Sequence, residues 1–588
     1  MTDKPTPEQI AQAAFDKYLR KPAGEPMNGN GHAAPPDDDW KPPTEIPAGD
    51  IDVQDAAEAK NERPLIQIKG GVLSEIASEG EKVLLEAGVQ LYQRGGFLVR
   101  PIIEDAEAAH GARTKVARLG RIDATYLRDL LGRIARFKKY DARSKKWVPT
   151  DPSLEMANTI LARVGEWKFP VVSGVISAPT LRPDGSILDQ PGYDPATQLL
   201  LINPPAMPPI PAAPTREEAH AALTLLEGLL AEFPFSDAEG GDKVSRVVAL
   251  SALITPVVRG AFPVTPMHVN GAPVAASGKS YLFDLAAVIA TGQKMPVIAA
   301  GRSEDETEKR LGAAMLAGQP LISIDNVNGQ LESVSLCQII ERPIVSIRIL
   351  GRSENVRVDA GGASTFCTGN NLVLVGDLCR RSLTATLDPE LERPELREFK
   401  GNPVAAVLTD RGAYVAAALT ICRAYIAAGR PGPAPRLASF EGWSDTVRSA
   451  LMWLGCADPV ASIETARAED PQLNALRGFL GAWADIVGVG WAYRTTMHEI
   501  VKLAGQHTGE QPLWPELHSV LEAFASTRGS IDAKRLGAWA RAFKGRFADG
   551  LRLRSEPSKR GGVATWWIEN KKGDNIQGKS QGLDDLRL

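Results

Sequence analysis

The sequence predicts an α/β core on a parallel sheet, preceded by an α+β module and followed by a helical segment and a small basic domain. Three observations carry this. From residue 266 to about 400, short β-branched runs ("PMHVNG", "PVIAAG", "PLISIDN", "STFCTGNN") alternate with helical stretches, the texture of parallel α/β units. The proline-rich "NPPAMPPIPAAPT" (203–215) separates this region from a differently patterned one upstream. At the other end, 534–572 holds eleven Lys/Arg against three acids, net +8 in a chain whose overall net charge is −4.

The remaining elements follow in order. Residues 1–62 are rich in Pro, Gly, Asn and acids and read as a tail, with a short helix possible at 7–19. Residues 63–202 combine a helix near 74–87, a strand at "GGFLVRPII", a helix at "TYLRDLLGRIARF" and a turn-rich close containing Pro-Asp-Gly and Pro-Gly, an α+β module. The linker takes 203–214, and two amphipathic helices, near 215–232 and 241–260, open the core, which runs to 402. Residues 403–509 read as helical, 510–572 as the basic domain and 573–588 as a tail. No apolar stretch is long enough to span a bilayer, and no signal architecture opens the chain. Five cysteines without a C-x-x-C pair and seven histidines without H-x-x-x-H spacing argue against zinc or a disulfide framework; a cytoplasmic setting, bacterial or phage-infected, is expected.

The chemistry is concentrated at three strand ends. "HVNGAPVAASGKSYL" (268–282) closes like a phosphate-binding loop, with Pro273 where the pattern G-x-x-x-x-G-K-S/T has its first glycine. A strand, a small-residue loop and a helix starting at Lys279 are what a phosphate cradle needs: successive backbone N–H groups, a helix N-terminus and a lysine. Ala275, Ala276, Ser277, Gly278, Lys279 and Ser280 are therefore the expected ATP-binding residues. "GQPLISIDNVNG" places Asp325 at the end of an apolar strand, 46 residues after Lys279; with the Ser280 hydroxyl it is the expected Mg²⁺ holder. "ASTFCTGNN" ends a third strand in Asn370 and Asn371, able to orient an attacking water.

These motifs, in this order, resemble those of the AAA+ superfamily 3 helicases and the helicase halves of phage and plasmid primase-helicases. The resemblance covers roughly 215–400, and more loosely reaches back to 63 through "PTLRPDGSILDQPGYD". It implies a P-loop (AAA+-like) ATPase core, with Lys279 and Ser280 as Walker A, Asp325 as Walker B and Asn370 or Asn371 as the sensor. Family members usually carry an acid after the Walker B acid; here Asn326 stands there, leaving Asp325 alone or aided by Glu304 or Glu306. The resemblance also implies a ring, expected to be a hexamer, whose sites are completed by an arginine of the neighbouring subunit, Arg381 ahead of Arg380.

Nucleic-acid contacts are expected in two places. In "RPIVSIRILGRSENVRVDAGG" (342–362), Val345, Ile347 and Ile349 alternate on one strand and Val356 and Val358 on the next, with "GRSEN" as the turn of a β-hairpin. By resemblance this hairpin lies in the ring channel, gripping single-stranded DNA through Arg348, Arg352 and Arg357. The basic domain reads as helix ("SIDAKRLGAWARAFKGRF"), strand, basic turn, strand, which resembles a winged helix; Lys534 and Arg535 on the helix and Lys559 and Arg560 at the wing tip would contact duplex DNA. No clustered acid pair with a histidine marks a primase, which would be a separate protein, and no His-x-His marks a nicking enzyme. The expected activity is ATP-dependent DNA unwinding in phage or mobile-element replication. A DNA-binding ATP switch, an initiator or loader without unwinding, remains open because of Pro273 and Asn326. A small-metabolite kinase is disfavoured by the basic C-terminal domain.

Overall fold

The computed structural model describes residues 63–107, 113–236, 243–301, 303–349, 354–527, 530–557 and 563–579. The sequence-predicted tail 1–62 with its 7–19 helix, Arg352 at the hairpin turn, and Lys559 and Arg560 lie outside the described residues. The chain forms two compact units, one of 1–329, 333–372 and 381–462, the other of 330–332, 373–380 and 463–588. The division falls near 463, ahead of the 509/510 boundary read from the sequence.

The first unit is mixed α/β, centred on a five-stranded parallel sheet. Its elements are β1 (Met267–Ala272), α1 (Lys279–Thr291), β2 (Val297–Ala299), α2 (Glu304–Leu316), β3 (Leu321–Leu331), α3 (Val334–Glu341), β4 (Ile344–Arg348), β5 (Asn355–Asp359), β6 (Ser364–Leu374) and β7 (Ser382–Thr386). The sheet runs in the order β2-β3-β6-β1-β7, with β4 and β5 forming a separate hairpin. Thus β6, fourth of the sheet's five strands in chain order, is inserted between β1 and β3. The carboxyl end of β1, Ala272, pairs with Asn370 of β6, and β3 and β6 run on past it to Leu331 and Leu374, so Asp325 and Asn370 lie inside their strands rather than at their ends.

Helix α1 starts abruptly because Gly278 adopts φ +95°, a left-handed conformation that costs a side-chain-bearing residue energy, and it ends at Gly292 with φ +79°. Between them lie Leu282, Phe283, Leu285, Val288 and Ile289, all buried, which pins the helix against the sheet. Arg411, half-buried, donates from Nε to Ile289 O (2.9 Å) and from Nη2 to Ala290 O and Ser177 O (2.8 Å each). It thereby covers the otherwise unpaired carbonyls of the last turn of α1 and ties them to the N-terminal module.

The hairpin alternates as its sequence suggests: Val345, Ile347, Val356 and Val358 are buried, while Arg348 and Arg357 are exposed on the opposite face. Ile347 pairs with Val356 and Val345 with Val358. A second anchor was not legible in the sequence. Arg94, 5 % exposed, donates to Met315 O of α2 (2.6 Å) and to Asp359 O at the end of β5 (3.1 Å), as well as to Val172 O and Ser173 O. Ser173 Oγ adds a bond to the Asp359 carboxylate (2.8 Å). The root of the hairpin is thus fastened both to α2 and to the N-terminal module.

That module holds helices Leu73–Glu86, Ala124–Ile134 and Leu154–Ala162 around a buried cluster including Leu84, Leu127, Leu131 and Met156. Among the described residues no single helix is long and apolar enough to cross a membrane. The second unit packs helices Pro471–Ile486, Met497–Ala504, Pro515–Ala525 and Ala533–Phe543 with a four-stranded sheet ordered Thr495–Thr496, Thr565–Asn570, Leu551–Glu556, Phe547–Ala548. Leu536, Ala540 and Phe543 line its core, and Trp539 stacks on Phe524 at 4.1 Å between ring centres. Trp566 is buried there as well, a packing residue.

Candidate active site

The loop Pro273–Gly278 leaves β1 and delivers α1. Ala276 takes φ +58° and Gly278 φ +95°, so the loop curls back and its backbone N–H groups are not consumed by helix or sheet. Asn270, fully buried on β1, donates from Nδ2 to Lys279 O (3.0 Å) and fixes where the helix begins. Lys279 is 8 % exposed, and its Nζ donates to Val274 O of the loop (2.9 Å). Burial pushes the Lys279 ammonium pKa down, with the Asp325 carboxylate opposing the shift. Ala275, Ala276 and Ser280 are exposed and Ser277 is buried, its hydroxyl bonded to Val274 O (2.6 Å).

Ser280 Oγ lies 3.2 Å from Asp325 Oδ1, donating to it across 45 residues of sequence. Asp325 also accepts from Thr368 Oγ1 of β6, and Thr368 Oγ1 in turn accepts from Asn326 N (3.1 Å). Its Oδ1 is therefore held from helix α1 and from strand β6. Asn326 is exposed and has φ +58°, a left-handed kink inside β3 that asparagine tolerates better than most residues. Asn370 Nδ2 points to Asn326 Oδ1 at 3.5 Å, and Asn370 Oδ1 is a buried acceptor with no hydrogen-bond partner among the described residues. Asn371, at φ +47°, donates to Pro273 O (3.3 Å) and so links β6 to the loop.

The structure thus brings Lys279, Ser280, Asp325, Asn326, Asn370 and Asn371 to one place. It engages the other acids elsewhere. Glu304 accepts from Ser335 N and Ser335 Oγ (2.7 Å each) at the start of α3, and Glu306 pairs with Arg310. Arg381 is 6 % exposed and ion-paired to Glu341, which also accepts from Ser439 Oγ (2.5 Å). Arg380 is the more accessible of the two, its side chain 35 % exposed and 2.5 Å from Asp377. Lys534 and Arg535 are exposed on the Ala533–Phe543 helix.

Four residues escaped the sequence reading. Thr368 looked like one more polar residue in a strand-end run. Asp284 lies one turn after Ser280 on α1; burial pushes its carboxyl up, Met295 N bonds it at 3.0 Å, and Asp325 adds repulsion. The spacing of 280 and 284 was the available signal. Phe233 and Tyr281 stack at 6.1 Å beside Gly278, and Tyr281 Oη donates to Asn402 Oδ1 (2.7 Å). Nothing in the local pattern at 233 points to this. Replacing Thr368 with valine, similar in shape but unable to bond Asp325, is expected to lower ATP turnover about ten- to a hundredfold and to raise the Mg²⁺ requirement, measured by titrating Mg²⁺ in a steady-state assay.

No protein-family model and no curated protein matches the chain. Among solved structures, the A-form apo structure of the NrS-1 C-terminal region is similar at 12% identity and a TM-score of 0.33, covering 83% of this chain and 98% of that one. A second A-form apo structure of that region is similar at 13% identity and a TM-score of 0.31, over 68% of this chain and 78% of that one.

Proposed function

We propose that the protein is an ATP-dependent DNA helicase that works as a ring, a hexamer, in phage or mobile-element replication. The observation that carries the reading is the meeting of Ser280 and Asp325 beside a glycine-capped helix whose first residue is Lys279. The residues fit ATP and Mg²⁺: the curled loop offers backbone donors, Lys279 a cation, and Ser280 with Asp325 a hydroxyl and a carboxylate of the kind that holds Mg²⁺. When bound, Mg²⁺ neutralises phosphate charge. Lys279 would exchange its bond to Val274 O for phosphate oxygens. Thr368 keeps Asp325 oriented. Asn370, whose Oδ1 has no hydrogen-bond partner among the described residues, and Asn326 would align a water. The apolar wall of Phe233 and Tyr281 suits a purine base. Arg380, the more exposed of the two arginines, would act on a neighbouring subunit's nucleotide; Arg381 is itself buried and paired with Glu341.

Single-stranded DNA would run along the exposed face of the β4–β5 hairpin, gripped by Arg348 and Arg357 and by Arg352 at its turn, contacts that neutralise phosphates without reading bases. Lys534, Arg535, Lys559 and Arg560 would bind duplex through a winged-helix-like arrangement, and a primase would be a separate partner. One observation favours a second reading, a DNA-binding ATP switch: Asn326 replaces the acid that would activate water, and Glu304 and Glu306 are engaged elsewhere. A forked duplex with a labelled strand separates the two. A motor displaces the labelled strand when ATP is present; binding of the fork with no displacement, alongside measurable ATP binding, would favour the switch.

A further inference from the structure

The strands Arg136–Asp141 and Lys146–Thr150 of the N-terminal module form a hairpin, paired in parallel to Leu65–Ile68 through the first strand only, so the second is a sheet edge. Phe137, 4 % exposed, anchors it to the core. Beyond that anchor the hairpin stands in solvent. Tyr140 and Trp147 face each other across the strands, their rings 5.8 Å apart at 67°, and are 54 % and 36 % exposed. Lys138 lies on the same face, two residues from Tyr140. Lys139, Arg143, Lys145 and Lys146 are exposed, Lys139 and Lys146 on the opposite face of the strands and Arg143 and Lys145 in the turn. From 136 to 147 there are six Lys/Arg and one acid, and that acid, Asp141, accepts from Arg143 N (3.1 Å) and Ser144 N (3.2 Å) in the turn. None of Lys138, Lys139, Arg143, Lys145 and Lys146 forms an ion pair among the described residues.

Lysines and a proline on an edge strand are a known defence against strand-to-strand association, which accounts for Lys146 and Pro149. It does not account for two large aromatic side chains left in water on a hairpin that carries these five cations. Aromatic faces with interleaved cations are what a single nucleic-acid strand requires, because unpaired bases stack on the rings while lysine and arginine follow the phosphates. A duplex offers no free base face, and an acidic peptide would use the cations and leave the rings idle. We propose that the 136–150 hairpin is a single-stranded nucleic-acid contact, separate from the β4–β5 hairpin and from the basic domain. It stands independently of the ATPase reading.

The test uses the full chain without nucleotide and a labelled oligo-dT strand, followed by anisotropy over a range of salt. Tyr140→Ala/Trp147→Ala is expected to weaken binding at least about tenfold with little change in salt dependence. Lys145→Ala/Lys146→Ala is expected to flatten the slope of log K against log salt by about 1.4. All four side chains are exposed, so melting temperatures should not move; should the aromatic variant unfold, the lysine variant still decides. A photo-crosslinked iodouracil strand should mark a peptide within 136–150. Wild-type affinity in both variants, crosslinks confined to other segments, or polyglutamate binding that depends on the lysines while the aromatic pair is silent would each overturn the proposal. Because no ATP is present, a chain that hydrolyses none still binds or fails to bind the strand.

Discussion

Lys279→Ala is expected to cut ATP hydrolysis by at least about a hundredfold, the loss seen when one preorganised donor to developing charge is removed. The ammonium is fixed before any phosphate arrives: it is 8 % exposed and bonded to Val274 O of the loop at 2.9 Å. Its burial lowers its pKa, but Asp325 close by favours the charged form that phosphate binding needs. Alanine would remove that positive charge from the loop that would cradle the phosphates. The effect is measured by steady-state phosphate release, with binding of a fluorescent ATP analogue followed in parallel. Chain stability should change little, since among the described residues the hydrogen bond lost with Nζ is the one to Val274 O.

Arg380→Ala is expected to lower turnover about a thousandfold while leaving ATP binding nearly intact, because an arginine finger acts on charge that appears only in the transition state. Arg380 is paired with Asp377, three residues away and half exposed. Such a pair is worth about 0.2–1 kcal/mol and is readily surrendered to a stronger anion. Arg381 is a different case. Arg381 is buried against the half-buried Glu341 carboxylate, so its truncation would cost that carboxylate a partner and show first as lost stability. Mixing provides the decisive measurement for a finger supplied in trans. Arg380→Ala subunits keep the loop, Lys279→Ala subunits keep the finger, and a mixture of the two should hydrolyse more ATP than either alone. Strict additivity of two inactive preparations would place Arg380 outside the neighbour's site.

The parts of the site that were legible in the sequence are those set by local patterning. The run from β1 through Lys279 combines an apolar strand, small loop residues and an apolar helix, and each feature has a local cause. Asp325 stood out because it follows the apolar run Leu321–Ile324, although the strand itself continues to Leu331, and the β4–β5 hairpin because Val345, Ile347, Val356 and Val358 alternate. What was not legible depends on residues distant in sequence. The order of preference between Arg380 and Arg381 is set by Glu341, 40 residues away from Arg381. Thr368 matters because its hydroxyl reaches Asp325 from β6, a contact that spacing does not reveal. The 136–150 hairpin was hidden because the helical period of "TYLRDLLGRIARF" continues to Phe137, whereas helix Ala124–Ile134 stops and Arg136 begins a strand. Its lysines then resemble an ordinary solvated run. Asn326 reads as a missing acid in sequence; in the structure its φ of +58° gives asparagine a conformational reason to be there as well.

The most direct test of a DNA-coupled motor is ATP hydrolysis by the wild-type chain with and without single-stranded DNA. The expected result is hydrolysis that rises severalfold or more with DNA and disappears in Lys279→Ala. Nucleotide binding without hydrolysis above the Lys279→Ala level, whether or not DNA is present, would contradict such a motor and leave the ATP switch as the function of this site.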